Sequence, residues 1–299
     1  MVSLPAQRIT YREMHGLIEP RIGGGTVEGD VLVLSNIERG AAVSPAGAGL
    51  CIRYVATGQE DYRMGERSYR LDPGQVMIGR RDVATEVEIR KSWTGGTFGL
   101  CALLASANDD LPWVFGPLVA SADCTILGGL MKNCAAALRR PYGRAELAQQ
   151  LVESLRAALP AVAESVIKQT AAVDAAKPST RFEMVRRATL AQAYLHSVQG
   201  RAVDLDELGR AVGMSPFHLL RAFQHCFGET PSSYHRKLRL ELALEEARRR
   251  GVAIAHVADD YGFAGVSSFS HAYRRAFGRS PREALAALPS RRPDRMAGC

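Results

Sequence analysis

The sequence has few of the features that mark secreted, membrane-spanning or zinc-binding proteins. Its 299 residues include six cysteines, none of them in a CxxC pair, which argues against a small disulfide scaffold and against a zinc ribbon. The first residues lack the basic and then apolar pattern of a secretory signal, and no apolar run approaches the roughly 18 residues of a membrane span. We therefore expect a cytoplasmic protein with reduced thiols.

Histidine is scarce in the first 180 residues, where His15 is the single example. A metal-binding barrel needs several inward-facing imidazole or carboxylate ligands, so a metal-dependent barrel enzyme is disfavoured. No Ser/His/Asp order or paired-carboxylate motif stands out, and "GGGT" at 23–26 lacks the Lys-Ser/Thr of a phosphate-binding loop. The expectation is a non-enzyme that has neither a metal nor another cofactor.

The positive charge of the chain lies in its last third. Residues 1–180 contain 19 Lys+Arg and 19 Asp+Glu, whereas residues 181–299 contain 19 Lys+Arg and 12 Asp+Glu, so the net charge of +7 comes from the second segment. A local basic excess is typical of a surface that faces phosphate groups. Charge alone does not separate such a surface from an ordinary solvated face.

The first half of the chain is predicted to form a β domain followed by helices. From about 29 to 104, short segments rich in β-branched and aromatic residues alternate with turn formers, which indicates a sandwich or barrel. The segments are "DVLVLSNI", "LCIRYVATG", "EDYRMG", "RSYRL", "QVMIG", "TEVEIRKSW" and "TFGLCALLA". Beyond "LPWVFGP" a 3.6-residue period predicts helices at about 123–139, 144–158 and 161–175, and we assign residues 1–175 to this domain.

The second half is predicted to be helical throughout. A short linker, "DAAKPST" at 174–180, separates the halves. An all-α domain then covers 181–288, and a basic tail covers 289–299, so the fold class is α+β. The predicted helices lie at about 182–198, 204–212, 216–227, 232–250, 254–260, 267–277 and 281–287. Ser215, Thr230 and Ser280 are placed to cap helices that start with proline.

One helical pattern occurs twice in this domain. "GMSPFHLLRAFQHCFG" at 213–228 aligns with "GFAGVSSFSHAYRRAFG" at 262–278, so that Leu219 matches Phe269 and Phe223 matches Tyr273 at a separation of 50 residues. Each follows a short helix and a glycine turn, which predicts two helix-turn-helix units. Because residues four apart share a helix face, these apolar pairs are expected to face the core.

The opposite faces carry residues that can contact base edges in a DNA major groove, where Arg pairs with guanine and Gln with adenine. The candidate DNA-binding residues are Ser215, Phe217, Leu220, Arg221, Gln224, Val266, Ser267, Ser270, His271 and Arg274. The intervening "PSSYHRKLRLELALEEARRRG" predicts a helix about 28 Å long. Such a helix can hold two recognition helices about one DNA turn, roughly 34 Å, apart. Two solvated faces of a helical bundle are the alternative.

The stretch from about 182 to 288 resembles the AraC/XylS family of bacterial transcription activators. The resemblance rests on "LDELGRAVGMSPFHLLRAFQHCFGETPSSYHRKLRLELA" and "IAHVADDYGFAGVSSFSHAYRRAFGRSPREAL". It implies a regulator, in most cases an activator, that binds direct-repeat promoter DNA near RNA polymerase. It also places base-reading positions at Phe217, Leu220, Arg221, Val266, Ser267, Ser270 and His271. His271 stands where the family pattern usually has arginine.

Residues 1–120 resemble the cupin-like barrel of the same family. The resemblance implies a small-molecule effector bound inside the barrel and a homodimer formed through helices at about 123–175. Candidate effector-binding residues on the inner strand faces are Arg53, Tyr54, Tyr62, Tyr69, Arg80 and Trp93. An arginine there can pair a carboxylate ligand. Surface arginines and core aromatics are the simpler interpretation of each residue taken singly.

Four cysteines offer a different kind of control. Some pair among Cys51, Cys101, Cys124 and Cys134 could meet in the fold and sense oxidants, although buried thiols that act as small hydrophobic groups explain them as well. A regulator switched by cysteine oxidation or by a protein partner is therefore an alternative. A DNA alkylation-repair methyltransferase is a remote one, because it needs a four-cysteine zinc site that this spacing does not provide.

Overall fold

The structure is a computed structural model that describes residues 9–18, 29–44, 46–89, 96–105, 116–140, 142–173, 177–198 and 200–287. Within these residues, nine strands come first and eight α-helices follow, so the α+β architecture expected from the sequence is confirmed. Trp93 and the basic tail at 289–299 lie outside the described residues.

The strands form one curled sheet that closes into a near-complete barrel. They are β1 Thr10–Ile18, β2 Val31–Ser44, β3 Leu50–Thr57, β4 Glu60–Met64, β5 Arg67–Leu71, β6 Gln75–Arg80, β7 Thr85–Ile89, β8 Thr97–Leu104 and β9 Leu118–Ser121. Their order is β5-β4-β7-β2-β8-β3-β6-β9, with β1 added in parallel to β2. Long β2 pairs with β8 through its first half and with β7 through its second half, which lets the sheet bend.

Alternating side chains divide the sheet into two apolar layers, as the pleat requires. On one face, Leu32, Ile52 and Leu100 belong to the main core, which the first helices cover. On the other face, inside the barrel, Val55 and Met77 belong to a smaller cluster. Each strand therefore separates a helix-covered surface from the barrel interior.

Two strands were not expected from the sequence. Strand β1 is largely exposed and carries charged residues without a clear alternation, while β9 has only four residues. Segments this short, or at the edge of a sheet, give a weak periodic signal. Both strands depend on pairing with distant parts of the chain for their formation.

The helices of the first half are α1 Ile126–Ala137 and α2 Arg144–Ala172. The expected break between 158 and 161 is wrong, because α2 runs continuously through Pro160 for 29 residues. Proline removes one backbone donor and usually kinks a helix. Here Leu155 and Leu159 before it, and Ala163 and Val166 after it, are all buried in the main core. We attribute the continuity to this burial on both sides of the proline.

Six helices make up the remainder: α3 Pro178–Ser197, α4 Leu205–Val212, α5 Pro216–Phe227, α6 Pro231–Arg250, α7 Val266–Phe277 and α8 Pro281–Ala287. The helix expected at 254–260 is instead two short 3-10 turns, Ile254–His256 and Asp259–Tyr261. These turns suffice to bury Ile254, Val257 and Ala258. Gly262, with φ of 73°, ends the segment before another full turn can form.

Helix α3 packs against both halves of the molecule. Near its start, Phe182 is buried in the main core beneath the sheet. Farther along, Ala191 and Leu195 are buried against α4 and α5. The helix begins at Pro178, inside the segment expected to be a linker, and it therefore connects the β domain to the helical domain through packed surfaces.

Candidate nucleic-acid interface

The first helix-turn-helix unit consists of α4, a glycine turn and α5. The carboxylate of Asp204 accepts a 2.7 Å hydrogen bond from the backbone N–H of Glu207 and so caps α4. Gly213 adopts the left-handed conformation, with φ of 66°, that the sharp turn requires. Ser215 then caps α5 by accepting from the backbone N–H of His218. These local signals explain why the sequence predicted both helix starts.

The second unit repeats the arrangement 50 residues later. Leu219 and Phe269 are both fully buried, each in the core of its own unit. The rings of Phe223 and Phe227 lie 4.6 Å apart, and those of Tyr273 and Phe277 are also separated by 4.6 Å. The pairing of positions that the repeat predicted is therefore present in the packing.

Helix α6 joins the two units and packs into both cores. It has 20 residues, which corresponds to about 30 Å at the standard rise. Leu238 belongs to the core of the first unit, while Leu240, Ala243 and Leu244 belong to that of the second. Because its side chains are shared in this way, α6 fixes the separation and the relative rotation of α5 and α7.

The predicted DNA-contacting side chains lie on the outer faces of α5 and α7. The exposed fraction is 63% for Phe217 and 46% for Val266, which is unusual for large apolar side chains. Leu220 and Ser270 are half-buried, and the other six are exposed: Ser215, Arg221, Gln224, Ser267, His271 and Arg274. Within the described part of the chain, eight of these ten side chains are thus exposed.

One exposed side chain on the first recognition helix was not singled out from the sequence. The ring of His218 lies in the first turn of α5, with Nδ1 2.8 Å from the hydroxyl oxygen of Ser215. N-terminal residues of recognition helices are those that usually meet base edges. It is not among the positions of α5 chosen from the sequence, but its place in the first turn, two residues after Pro216, could have indicated it.

The barrel interior contains a buried ion pair. Arg53, only 6% exposed, donates from Nε to the Glu60 carboxylate over 2.7 Å and from Nη2 to the Ser35 hydroxyl over 2.8 Å. Tyr62 and Thr97 also donate hydrogen bonds to Glu60. Burial by itself would raise the pKa of Glu60, but the adjacent Arg53 charge and these hydrogen bonds lower that pKa overall. The carboxylate that Arg53 binds is therefore one of the chain's own.

The other effector candidates are dispersed. Tyr69 lies in the interior cluster with Tyr62, whereas Tyr54 points to the opposite face and belongs to the main core. Arg80 pairs with Asp82 over 3.0 Å near the surface. Of the predicted set, the structure brings Arg53, Tyr62 and Tyr69 to one side of the sheet.

Two of the four candidate cysteines meet. The sulfur atoms of Cys51 on β3 and Cys101 on β8 are 3.6 Å apart. Cys124 is instead 3.3 Å from Nε2 of His196, and Cys134 is buried on α1, where burial raises the pKa of its thiol to about 11.

No group of three or more His, Cys, Asp or Glu residues in the described segments is arranged to hold a metal ion. None of the described helices has the length and apolar character needed to cross a membrane.

Comparison with known proteins gives a family model, curated relatives and solved structures that are similar to this chain. A family model described as a helix-turn-helix domain matches residues 208–287. GbdR of Pseudomonas aeruginosa, an HTH-type transcriptional regulator, is 37% identical over 91 residues, which are 30% of this chain and 25% of GbdR. The XylDLEGF operon transcriptional activator 2 of Pseudomonas putida is 34% identical over 88 residues, which are 28% of this chain and 56% of that protein.

The matches to these curated relatives thus span between about a quarter and just over half of their lengths. Among solved structures, ToxT of Vibrio cholerae aligns over 87% of this chain and 94% of its own, with 11% identity and a TM-score of 0.33. The region matched by the family model, 208–287, contains α5, α6 and α7. Residues 208–287 therefore match a helix-turn-helix domain, and the chain is similar in part to proteins described as transcriptional regulators.

Proposed function

We propose that the protein is a sequence-specific DNA-binding regulator of transcription that reads two successive major grooves with α5 and α7. The observation that carries the proposal is the shared packing of α6, which joins two repeated units whose outer faces are exposed. A rigid connection of about 30 Å is close to one turn of B-DNA, roughly 34 Å. One chain could then contact two half-sites on the same side of a duplex.

Residue chemistry on these faces supports the proposal. Arg221 and Gln224 on α5, and His271 and Arg274 on α7, are all exposed and can donate hydrogen bonds to bases or phosphates. The exposed side chain of Phe217 offers an apolar contact of the kind that a thymine methyl group accepts. The basic excess of the last third would add attraction for the DNA backbone.

A role as an activator that acts near RNA polymerase is part of the same proposal. Its support is the name of a relative, the XylDLEGF operon transcriptional activator 2, which is 34% identical to this chain over 88 residues. The β domain at 1–175 would then bind an effector and shift the DNA-binding domain between states, which requires that the effector prefers one state over the other.

We also propose a homodimer that uses α1 and α2. These helices cover the sheet on one side, yet Ile126 on α1 is 59% exposed and Ile167 on α2 is 50% exposed. Exposed large apolar side chains on neighbouring helices are suited to a subunit interface. Light scattering of the purified protein tests this point, and Ile167→Glu is expected to shift the mass toward the monomer.

The proposed DNA recognition is tested by selecting binding sites from random duplex DNA with the full-length protein. The expected product is a sequence with two half-sites whose centres are about 10 base pairs apart, bound with an affinity that decreases steeply as salt increases. Random duplexes of equal length serve as the control. Failure to enrich any sequence, or enrichment of a single half-site, would contradict reading by both helices.

Control by thiol oxidation is a second candidate for the regulatory signal. The observation that favours it is the 3.6 Å approach of the Cys51 and Cys101 sulfur atoms. Under this candidate the protein binds DNA as proposed above, but an oxidant rather than a bound effector is the regulatory signal.

A further inference from the structure

A cavity of about 450 Å³ lies between the helix-covered face of the sheet and the connection from α1 to α2. Leu34 on β2, Phe98 on β8 and Leu138 after α1 provide apolar walls. Asn36 and Arg139 provide polar ones. Cavities that hold small ligands are typically of this size, mostly apolar with a few placed polar groups. The cavity is on the opposite face of the sheet from Arg53 and Glu60.

Two arginines with different partners border this cavity. Arg144, at the start of α2, binds the Glu13 carboxylate through Nη1 over 2.6 Å, so its charge is neutralised within the chain. His15, another lining residue, has Nε2 3.1 Å from the second Glu13 oxygen. Hydrogen bonds from Arg144, His15 and Tyr11 lower the pKa of Glu13 to about 2, which keeps it ionised.

Arg139 is placed differently. Its guanidinium carbon lies 4.9 Å from the centroid of the Phe98 ring, and the residue lines the cavity and is exposed to solvent. Among the described residues, no carboxylate forms an ion pair with it. With Glu13 balancing Arg144, the cavity therefore carries one uncompensated positive charge beside apolar walls. The stacking on Phe98 holds the planar cation at the edge of the cavity.

We propose that this cavity binds a small organic carboxylate whose apolar body lies between Leu34, Phe98 and Leu138 and whose anionic end pairs with Arg139. A single uncompensated cation suits a monoanion, and a guanidinium can bind a carboxylate through two parallel hydrogen bonds. A doubly charged phosphate ester would leave one negative charge unmatched next to apolar walls.

The location gives such a ligand a route to regulation, and this consequence rests on the proposed function. A ligand in the cavity would contact β1, β2 and β8 as well as the junction of α1 and α2. Helix α2 in turn packs against α3, and α3 packs against α4 and α5 of the first helix-turn-helix unit. Occupancy of the cavity can therefore influence how α5 is held.

The test uses 2-naphthoate as the probe, titrated calorimetrically into the full-length protein, with naphthalene-2-carboxamide as the neutral isostere. We expect 2-naphthoate to bind at least tenfold more tightly than the amide and Arg139→Gln to weaken the binding of 2-naphthoate by at least tenfold. Arg140→Gln is the matched control, because it removes the same charge from the neighbouring exposed residue, which does not line the cavity. It should leave the affinity unchanged.

A second variant separates loss of the site from loss of folding. Asn36→Trp places a large ring in the cavity from an exposed position on β2 and should abolish 2-naphthoate binding while the melting temperature is retained. Equal binding of 2-naphthoate by the wild type, Arg139→Gln and Asn36→Trp would overturn the proposal. So would the absence of binding of 2-naphthoate, benzoate and decanoate alike. Neither result depends on DNA, so the DNA-binding proposal is judged separately by site selection.

Discussion

The guanidinium of Arg221 lies over the ring of Phe217, 5.8 Å from its centroid, one turn earlier on the exposed face of α5. This contact restricts a long side chain that would otherwise sample many rotamers. A guanidinium held in this way loses less side-chain entropy when its N–H groups bind a partner. The pair therefore marks where α5 is prepared for a directional hydrogen bond.

Replacing Arg221 with Ala should weaken binding to the selected operator by about 1–3 kcal/mol if the side chain pairs with a base. Fluorescence anisotropy with the operator and with a duplex altered at single positions measures the effect. The discrimination against one of those altered positions should disappear together with the affinity. Arg140→Ala, which removes the same charge from the β domain, is the control. A loss of equal size on every duplex would instead assign Arg221 to a phosphate.

The buried faces of the two recognition helices can be tested separately. Leu219→Asp and Phe269→Asp each place a carboxylate in a fully buried position, where an unpaired charge costs several kcal/mol. Each should unfold its own unit, lower the helical circular dichroism and abolish operator binding. Phe217→Asp is the matched control, because that residue is exposed on α5. It should keep the helical signal of the wild type even though DNA affinity decreases.

Elements with strong local signals were predictable from the sequence. Helix α5 was expected at the bounds that the structure shows, because Ser215-Pro216 marks its start and Gly228 marks its end. The doubled pattern likewise predicted which residues of α5 and α7 are buried. At Pro160 the local signal was misleading. Proline favours a break in a helix, but α2 continues through it because residues on both sides of Pro160 are buried in the main core.

Features assembled from distant segments were not predictable. The barrel interior was expected to present Arg53 to a ligand, but the pairing of β3 with β8 and the turn into β4 bring it to Glu60 instead. The cavity next to Arg139 draws its walls from strands β1, β2, β3 and β8 and from the ends of two helices. No sequence period connects these positions, since their proximity arises only when the helices pack on the sheet.

Oxidation of the full-length protein with diamide should join Cys51 and Cys101. Their sulfur atoms are 3.6 Å apart on adjacent strands and need to approach to about 2.05 Å for a disulfide. The hydrogen bond that they share lowers the pKa of Cys101, which favours its thiolate as the attacking group. Diamide takes up the two hydrogen atoms, so peptide mass spectrometry should show a cross-linked pair that is lighter by two hydrogens.

Cys51→Ser should eliminate the cross-link, while Cys124→Ser, at an exposed cysteine elsewhere, should leave its yield unchanged. If oxidation is the regulatory signal, operator affinity must change on cross-linking and recover with a reductant. An unchanged affinity in the cross-linked protein would instead leave the pair with a packing role and would favour control by an effector.

Buried His235 should make the stability of the helical domain depend on pH. The residue is 3% exposed, and its Nε2 has no hydrogen-bond partner among the described residues. Burial, and then the charges of Arg239 and Arg201, lower its pKa from 6.5 to about 4. The unfolded chain therefore binds a proton that the folded protein does not bind between those values. The free energy of unfolding should decrease on acidification from pH 6.5 to pH 4, by at most about 1.4 kcal/mol per pH unit.

Urea unfolding at a series of pH values measures this slope. His235→Leu removes one titrating group and should reduce the slope between pH 6.5 and pH 4, whereas His256→Leu, at an exposed histidine, should leave it unchanged. Part of the slope should remain, because burial also lowers the pKa of His196. Glu183 provides an internal reference, because its hydrogen bonds with Arg186 and Arg187 outweigh the effect of burial and lower its pKa to about 2. The stability that Glu183 contributes is lost only as the pH falls below the ordinary carboxyl pKa of 4.5, which separates its effect from that of His235 above pH 4.5. A slope above pH 4.5 that is as steep in His235→Leu as in the wild type would contradict the assignment to His235.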